Sequence, residues 1–96
     1  MSEQQLQAKI LKYLYAIGAY SIKVVSATRA GVPDIVCCYK GKFIAIEVKL
    51  PGNKPSALQV SNIELIQKAE GYAFVAYKLE DVANFFSALD NPATQA

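Results

Sequence analysis

The sequence predicts an α/β fold, a mixed β-sheet flanked by helices, with its elements in the order α-β-β-β-α-β-α. Three observations lead there. Ser2-Glu3-Gln4-Gln5 and Ser56-Ala57-Leu58-Gln59 both have the capping-box pattern, and each opens a stretch with apolar residues at helical spacing. Three runs rich in Val, Ile, Tyr and Phe lie between the two helices and a fourth follows the second, bounded by glycine and proline. The third and fourth of these runs are separated by a helix, which lets them run parallel.

Taken in order, the first helix carries Leu6, Ile10, Tyr13, Leu14 and Ile17 and stops at Gly18. Strands follow at 20–26, 34–40 and 42–49. The Arg29–Pro33 segment separates the first two, and Lys40-Gly41 makes a tight turn between the second and third. Leu50–Pro55 is a loop, and the second helix runs from Ser56 to about Glu70, with Gly71 as its stop. Residues 72–77 form the fourth strand. Glu80 and Asp81 favour the start of a C-terminal helix whose buried face holds Val82, Phe85, Phe86 and Leu89. About 91–96 is expected to be a frayed tail. With 96 residues and neither repeat nor linker, residues 1–96 read as a single domain.

Composition narrows the chemistry. Hydrophobic residues make up 53% of the chain, which implies a folded core. No apolar run approaches the roughly 20 residues that cross a bilayer, so no membrane partner is expected. The opening residues lack the basic and apolar regions of a secretory signal. Cys37 and Cys38 are adjacent in a strand and point to opposite faces, as buried thiols of a reducing compartment such as the cytoplasm would. Histidine is absent, which excludes Ser-His-Asp and Cys-His catalysis and histidine-based zinc sites. An enzyme of this composition works with carboxylates, lysine and a hard cation. Residues 1–60 hold eight basic and three acidic side chains, a charge of +5, whereas residues 61–96 carry −3. That asymmetry suits a polyanionic partner; uneven surface charge is the alternative.

The three acids of the basic half are Glu3, Asp34 and Glu47. If Lys40 and Gly41 are the two loop residues of the hairpin, Tyr39 faces Lys42 and Asp34 faces Glu47 on the same side of the sheet. Their Cβ atoms would then be about 4.5–5.5 Å apart. Two facing carboxylates repel, so the arrangement calls for a divalent cation between them. Lys49 projects from the same face and can stabilise phosphate charge or orient an attacking water. Val48 points its side chain into the core, but its carbonyl can turn toward the metal. The face also holds Val36, Cys38, Phe43 and Ala45, and so reads as covered rather than solvated. Separately, Pro33-Asp34 is a common turn dipeptide, and Glu47 with Lys49 is compatible with the polar side of a strand.

Gly31-Val32-Pro33-Asp34 followed by Ile46-Glu47-Val48-Lys49 resembles the PD-(D/E)xK nuclease superfamily, and within it the stand-alone VRR-NUC domains of phages and bacteria. The resemblance spans nearly the whole chain and includes Glu3 in the first helix and Ser56-x-x-Gln59 opening the second. It implies a restriction-endonuclease-like αβββαβ core and a Mg²⁺ or Mn²⁺ ion held by Asp34, Glu47 and the Val48 carbonyl. It further implies that Lys49 assists the water, that Gln59 positions it and that Glu3 completes the acidic cluster. Glu3 is equally suited to a helix's first turn, and Gln59 to partnering Ser56 in the capping box. Arg29, Lys23 and Lys54 flank the site as candidate phosphate contacts, whereas Lys40 and Lys42 lie about 20 Å away. The expected activity is hydrolysis of DNA phosphodiesters to 5′-phosphate products, on four-way (Holliday) junctions and as a homodimer, in a bacterial or phage-infected cell. A nicking or restriction-like nuclease on duplex or flap DNA, and a non-catalytic nucleic-acid-binding module, are the alternatives.

Overall fold

The computed structural model describes residues 1–95. Its elements are α1 (Glu3–Ala16), β1 (Tyr20–Lys23), β2 (Ile35–Tyr39), β3 (Lys42–Val48), α2 (Ala57–Lys68), β4 (Tyr72–Ala76), α3 (Leu79–Asp90) and α4 (Pro92–Gln95). The sheet has the order β1-β2-β3-β4, with β1, β2 and β3 antiparallel and β4 parallel to β3. The helical crossover between β3 and β4 is what makes that last pairing parallel.

Alternation along the strands sorts the side chains into two layers. Ile35, Cys37 and Tyr39 of β2 and Ile44, Ile46 and Val48 of β3 pack with Leu6, Ile10 and Leu14 of α1 and with Val82, Phe86 and Leu89 of α3. On the other face Val36, Ala45, Ala73 and Val75 meet Ile63 and Ile66 of α2. The alanines at 45 and 73 let α2 lie close over β3 and β4. The same face of β1, β2 and the start of β3 stays open: Cys38 is exposed, Ile22 is 49% and Phe43 50% exposed. The expectation of two buried thiols therefore holds for Cys37 alone, and the acid-bearing face is covered only at its β3–β4 end.

Both capping boxes form. Ser2 Oγ accepts from Gln5 N at 3.1 Å while Gln5 Oε1 accepts from Ser2 N at 2.8 Å. Ser56 and Gln59 repeat the exchange at 3.1 and 2.8 Å. The carboxylate of Asp81 begins α3 by accepting from Tyr77 N at 2.8 Å. Strand β1 is shorter than the expected 20–26. It pairs through Lys23 with Ile35, and Val24 N then donates to the Asp34 carbonyl at 2.8 Å. The regular ladder ends with that bond. Helix α2 ends through Glu70, whose φ of 71° takes the left-handed conformation that was expected at Gly71. The tail expected to fray holds one further helical turn: Asn91 Oδ1 caps it by accepting from Ala93 N at 3.0 Å, and Pro92 at its start needs no donor. Ala96, the last residue of that expected tail, lies outside the described residues.

Two tertiary features hold the ends of the site-bearing strands. At the hairpin turn, Asp90 at the end of α3 accepts from Tyr39 Oη at 2.7 Å and from Lys40 Nζ at 3.0 Å, and Tyr39 meets Phe86 edge to face. At the opposite end, the buried Asn62 of α2 donates through Nδ2 to the Ala30 carbonyl at 3.0 Å and clamps the loop that leads into Asp34. Gly31 within this loop has φ 81°, and a Cβ there would sit 2.8 Å from Leu58 Cγ and 2.9 Å from Asn62 Nδ2. Gly31→Ala is accordingly expected to destabilise the fold by about 1–3 kcal/mol through strain and overpacking. Denaturant unfolding of the two proteins side by side measures this; an unchanged midpoint would show that the loop is not clamped on α2.

Candidate active site

The site begins at a turn that lies far from it. Lys40 (φ 50°) and Gly41 (φ 79°) both adopt positive φ, the signature of a two-residue type I′ hairpin loop. Tyr39 consequently pairs with Lys42, and the ladder continues without a bulge to Ile35 opposite Ile46. One step beyond the last pair stand Asp34 and Glu47, opposite each other as the register requires.

Asp34 lies just past the end of β2 and is held on both sides. Its carbonyl accepts from Val24 N, and its carboxylate Oδ2 accepts from Val48 N at 2.9 Å. The side chain is thus fastened to β3 by a backbone amide. Val48 itself is fully buried.

Glu47 is 1% exposed, the most deeply buried charged residue among those described. Its Oε1 has no hydrogen-bond partner, and the nearest cation, Lys49 Nζ, stands 3.9 Å from Oε2. That distance is too long for a hydrogen bond. Burial, followed by the neighbouring Asp34 carboxylate, raises the Glu47 pKa from 4.5 to about 8; Lys49 pulls it back in part, and the charge of Glu3 adds to the rise. A buried carboxylate without donors is tolerated only if it holds a proton or a cation. The donor set suits a hard divalent ion: two facing carboxylates at a strand end, one of them with an unpartnered oxygen, beside a lysine whose side chain is 18% exposed.

The remaining sequence-derived residues separate into those near this pair and those away from it. Glu3 is within electrostatic reach of Glu47, but its Oε2 accepts from Asn53 Nδ2 at 3.3 Å. Among the described residues no three Asp, Glu, Cys or His side chains stand close enough to hold one ion, so Glu3 does not complete a three-acid cluster. Gln59 has its Oε1 engaged by Ser56 N in the capping box. Lys23, at the end of β1, lines an open cleft of about 530 Å³ beside the site together with Glu3 and Asn53. Lys54 is exposed on the loop between β3 and α2. Arg29 is exposed over α2, lining a separate cavity of about 310 Å³ with Pro33 and Asn62. Lys40 and Lys42 sit at the hairpin turn, the far end of the sheet.

Sequence reasoning missed three residues here. Asn53 holds Glu3, Asn62 clamps the Asp34 loop, and Gln7 is buried beside the cleft. Only Gln7 left a trace in the sequence, as a polar residue one position from the buried Leu6 and one turn after Glu3.

No family model matches the chain. A phage protein of the Acyrthosiphon pisum secondary endosymbiont phage 1, named "Putative nuclease p44", is 29% identical over 89 residues, covering 92% of this chain and 95% of that one. A solved structure described as "VRR_NUC domain" superposes with a TM-score of 0.78 at 24% identity, over 88% of this chain and 94% of its own. A second, described as "VRR_NUC domain protein", gives 0.75 at 18% identity, over 92% and 87%. Element order, sheet topology and near end-to-end superposition agree, and the chain has the fold of a stand-alone VRR-NUC domain.

Proposed function

We propose that this chain is a divalent-metal-dependent endonuclease that hydrolyses DNA phosphodiesters at branched junctions as a homodimer. The observation that carries this reading is Glu47: buried, with an unpartnered oxygen, facing Asp34 and flanked by Lys49. A fold does not on its own give a function; the retained acid pair and lysine support catalysis on this one, and the name of the phage relative points the same way.

In this reading Asp34 and Glu47 hold Mg²⁺ or Mn²⁺, with the Val48 carbonyl as a further donor. Such an ion, when bound, stabilises charge on the phosphoryl oxygens and lowers the pKa of a coordinated water. Asp34 is preorganised by the Val48 N–H, so its carboxylate does not reorient as substrate arrives. Lys49, held by its strand on the same face, offers its ammonium to a non-bridging phosphate oxygen or to the attacking water. Lys23 and Lys54 on the adjacent rim supply phosphate contacts, with Arg29 extending the basic surface over α2. Gln59 orients the water only through whatever its capping role leaves free, and Glu3 acts from outside the pair. The homodimer is supported by the open apolar face of β1 and β2, where Tyr20 is 76% exposed beside Ile22 and Phe43, and by β1 being an edge strand.

Three outcomes are expected. Labelled four-way junction, flap, duplex and single-stranded DNA incubated with Mg²⁺, Mn²⁺ or chelator should show junction cutting with metal alone. Asp34→Asn, Glu47→Gln and Lys49→Ala should each lower the rate by about 10²–10³-fold or more. DNA retained on the protein but uncut with every metal would replace this reading by a binding module, and duplex nicking by the wild type would replace the junction. The metal-free protein should lose stability as pH rises from about 4.5 through 8. Glu47 there carries a proton in the folded state that the unfolded chain releases at lower pH. Denaturation in chelator across that range should show a slope of a few kcal/mol, flattened by Glu47→Gln and offset by added metal. Ile22→Asp should convert a dimer to a monomer in sedimentation velocity; a wild type already monomeric at high concentration removes the dimer from the proposal.

A further inference from the structure

The cleft beside the acid pair holds a feature that phosphate hydrolysis does not use. Its walls are Ser2, Glu3, Gln4 and Gln7 at the start of α1, Lys23 at the end of β1, and Leu50 and Asn53 after β3. Gln7 is 8% exposed, and its Oε1 is fully buried without a hydrogen-bond partner. Glu47 is the only other described residue with such an atom, and a cation or proton accounts for that one. Burying a carboxamide unpartnered weakens a fold, and a leucine at this position would extend the apolar row of Leu6, Ile10 and Leu14. Glu3 stands one helical turn earlier, on the same face of α1.

We infer that the Gln7–Glu3–Lys23 cleft receives an unpaired nucleobase of the bound DNA, the one next to the phosphate held at Asp34 and Glu47. The inference rests on the nuclease reading for its substrate. Glu3 argues against a phosphate in the cleft, since a carboxylate repels it, and in favour of an exocyclic amino group, which a carboxylate accepts. Rotation of the Gln7 carboxamide toward the cleft would give its buried, unpartnered oxygen a donor on the edge of a base, and Leu50 gives the ring an apolar wall. Lys23 at the rim suits the phosphate attached to that nucleotide. Glu3 in the cleft wall is close enough to add to the rise in the Glu47 pKa, so the cleft and the acid pair lie at the same end of the molecule. The volume of about 530 Å³ lies within the range of pockets that hold small molecules, roughly 300–1,000 Å³. Unpaired bases occur at branch points and not within duplex, which gives a physical reason for branched DNA to be preferred.

The test uses binding in chelator, where cutting plays no part. Fluorescence anisotropy compares five-nucleotide single strands of cytidine, of thymidine and of abasic backbone against the wild type, Gln7→Leu and Glu3→Gln. The wild type is expected to bind cytidine about tenfold more tightly than the abasic strand, with thymidine between them. Gln7→Leu should lose most of that preference while melting at the same temperature or higher, because an unpartnered amide has been removed. Glu3→Gln should erase the difference between cytidine and thymidine. Equal affinity of the wild type for cytidine and abasic strands overturns the inference, as does a Gln7→Leu protein that keeps the preference. The two readings fail separately. Metal-dependent cutting without a base preference removes the cleft alone, and a base preference without cutting removes the nuclease reading alone.

Discussion

The turn at Lys40–Gly41 is the constraint on which the rest depends. Two consecutive residues at positive φ admit one hairpin register, and that register runs unbroken to the last pair before Asp34 and Glu47. A slip of one residue would send one acid to the face of α1 and α3 and leave the other on the face of α2. The turn is in turn held by the C-terminal helix, through Asp90 to both Tyr39 and Lys40. Residues at the two ends of the sheet are therefore parts of one device, and the far end of α3 helps set where the acids meet.

The acid pair is costly by design. Glu47 takes the place that Ala45 and Val36 occupy further along the same face, but with an oxygen that finds no donor. Its environment favours the neutral acid near pH 7, as expected when burial and a second carboxylate act together. Sites that must hold a cation are often built this way, with repulsion in the empty state released on loading. The surrounding clamps make sense in that light. Val48 N–H on Asp34, and Asn62 on the loop before it, hold the carboxylates together against the repulsion between them.

Local chemistry was legible in the sequence; coverage was not. Capping boxes, turn glycine and strand alternation are short-range signals, and they located both helix starts and the hairpin register. The open face of β1 and β2 could not be read in this way, because it depends on how far α2 reaches across the sheet. Cys38 and Phe43 were expected to be covered, yet Cys38 is exposed and Phe43 is 50% exposed. The end of β1 at Lys23 follows from its partner strand beginning at Ile35, a segment distant in sequence. Of the site, Asp34, Glu47 and Lys49 follow from register alone. Glu3 and Gln59 were ambiguous because one residue type serves both a helix start and a site, and in three dimensions each has a partner of its own. Asn53, Asn62 and Gln7 act through contacts across the fold, and no spacing rule points to them.

The adjacent thiols also make the molecule its own reporter. Cys37 is buried, and burial together with Cys38 raises its pKa to about 11, so it stays protonated and shielded from alkylating reagents. Cys38, one residue on, opens to solvent on the uncovered face of β2. A maleimide dye or spin label added to the unaltered chain would therefore attach at one position, on the surface proposed above to receive a second copy. Distances between labels could then describe the assembly without a single engineered residue.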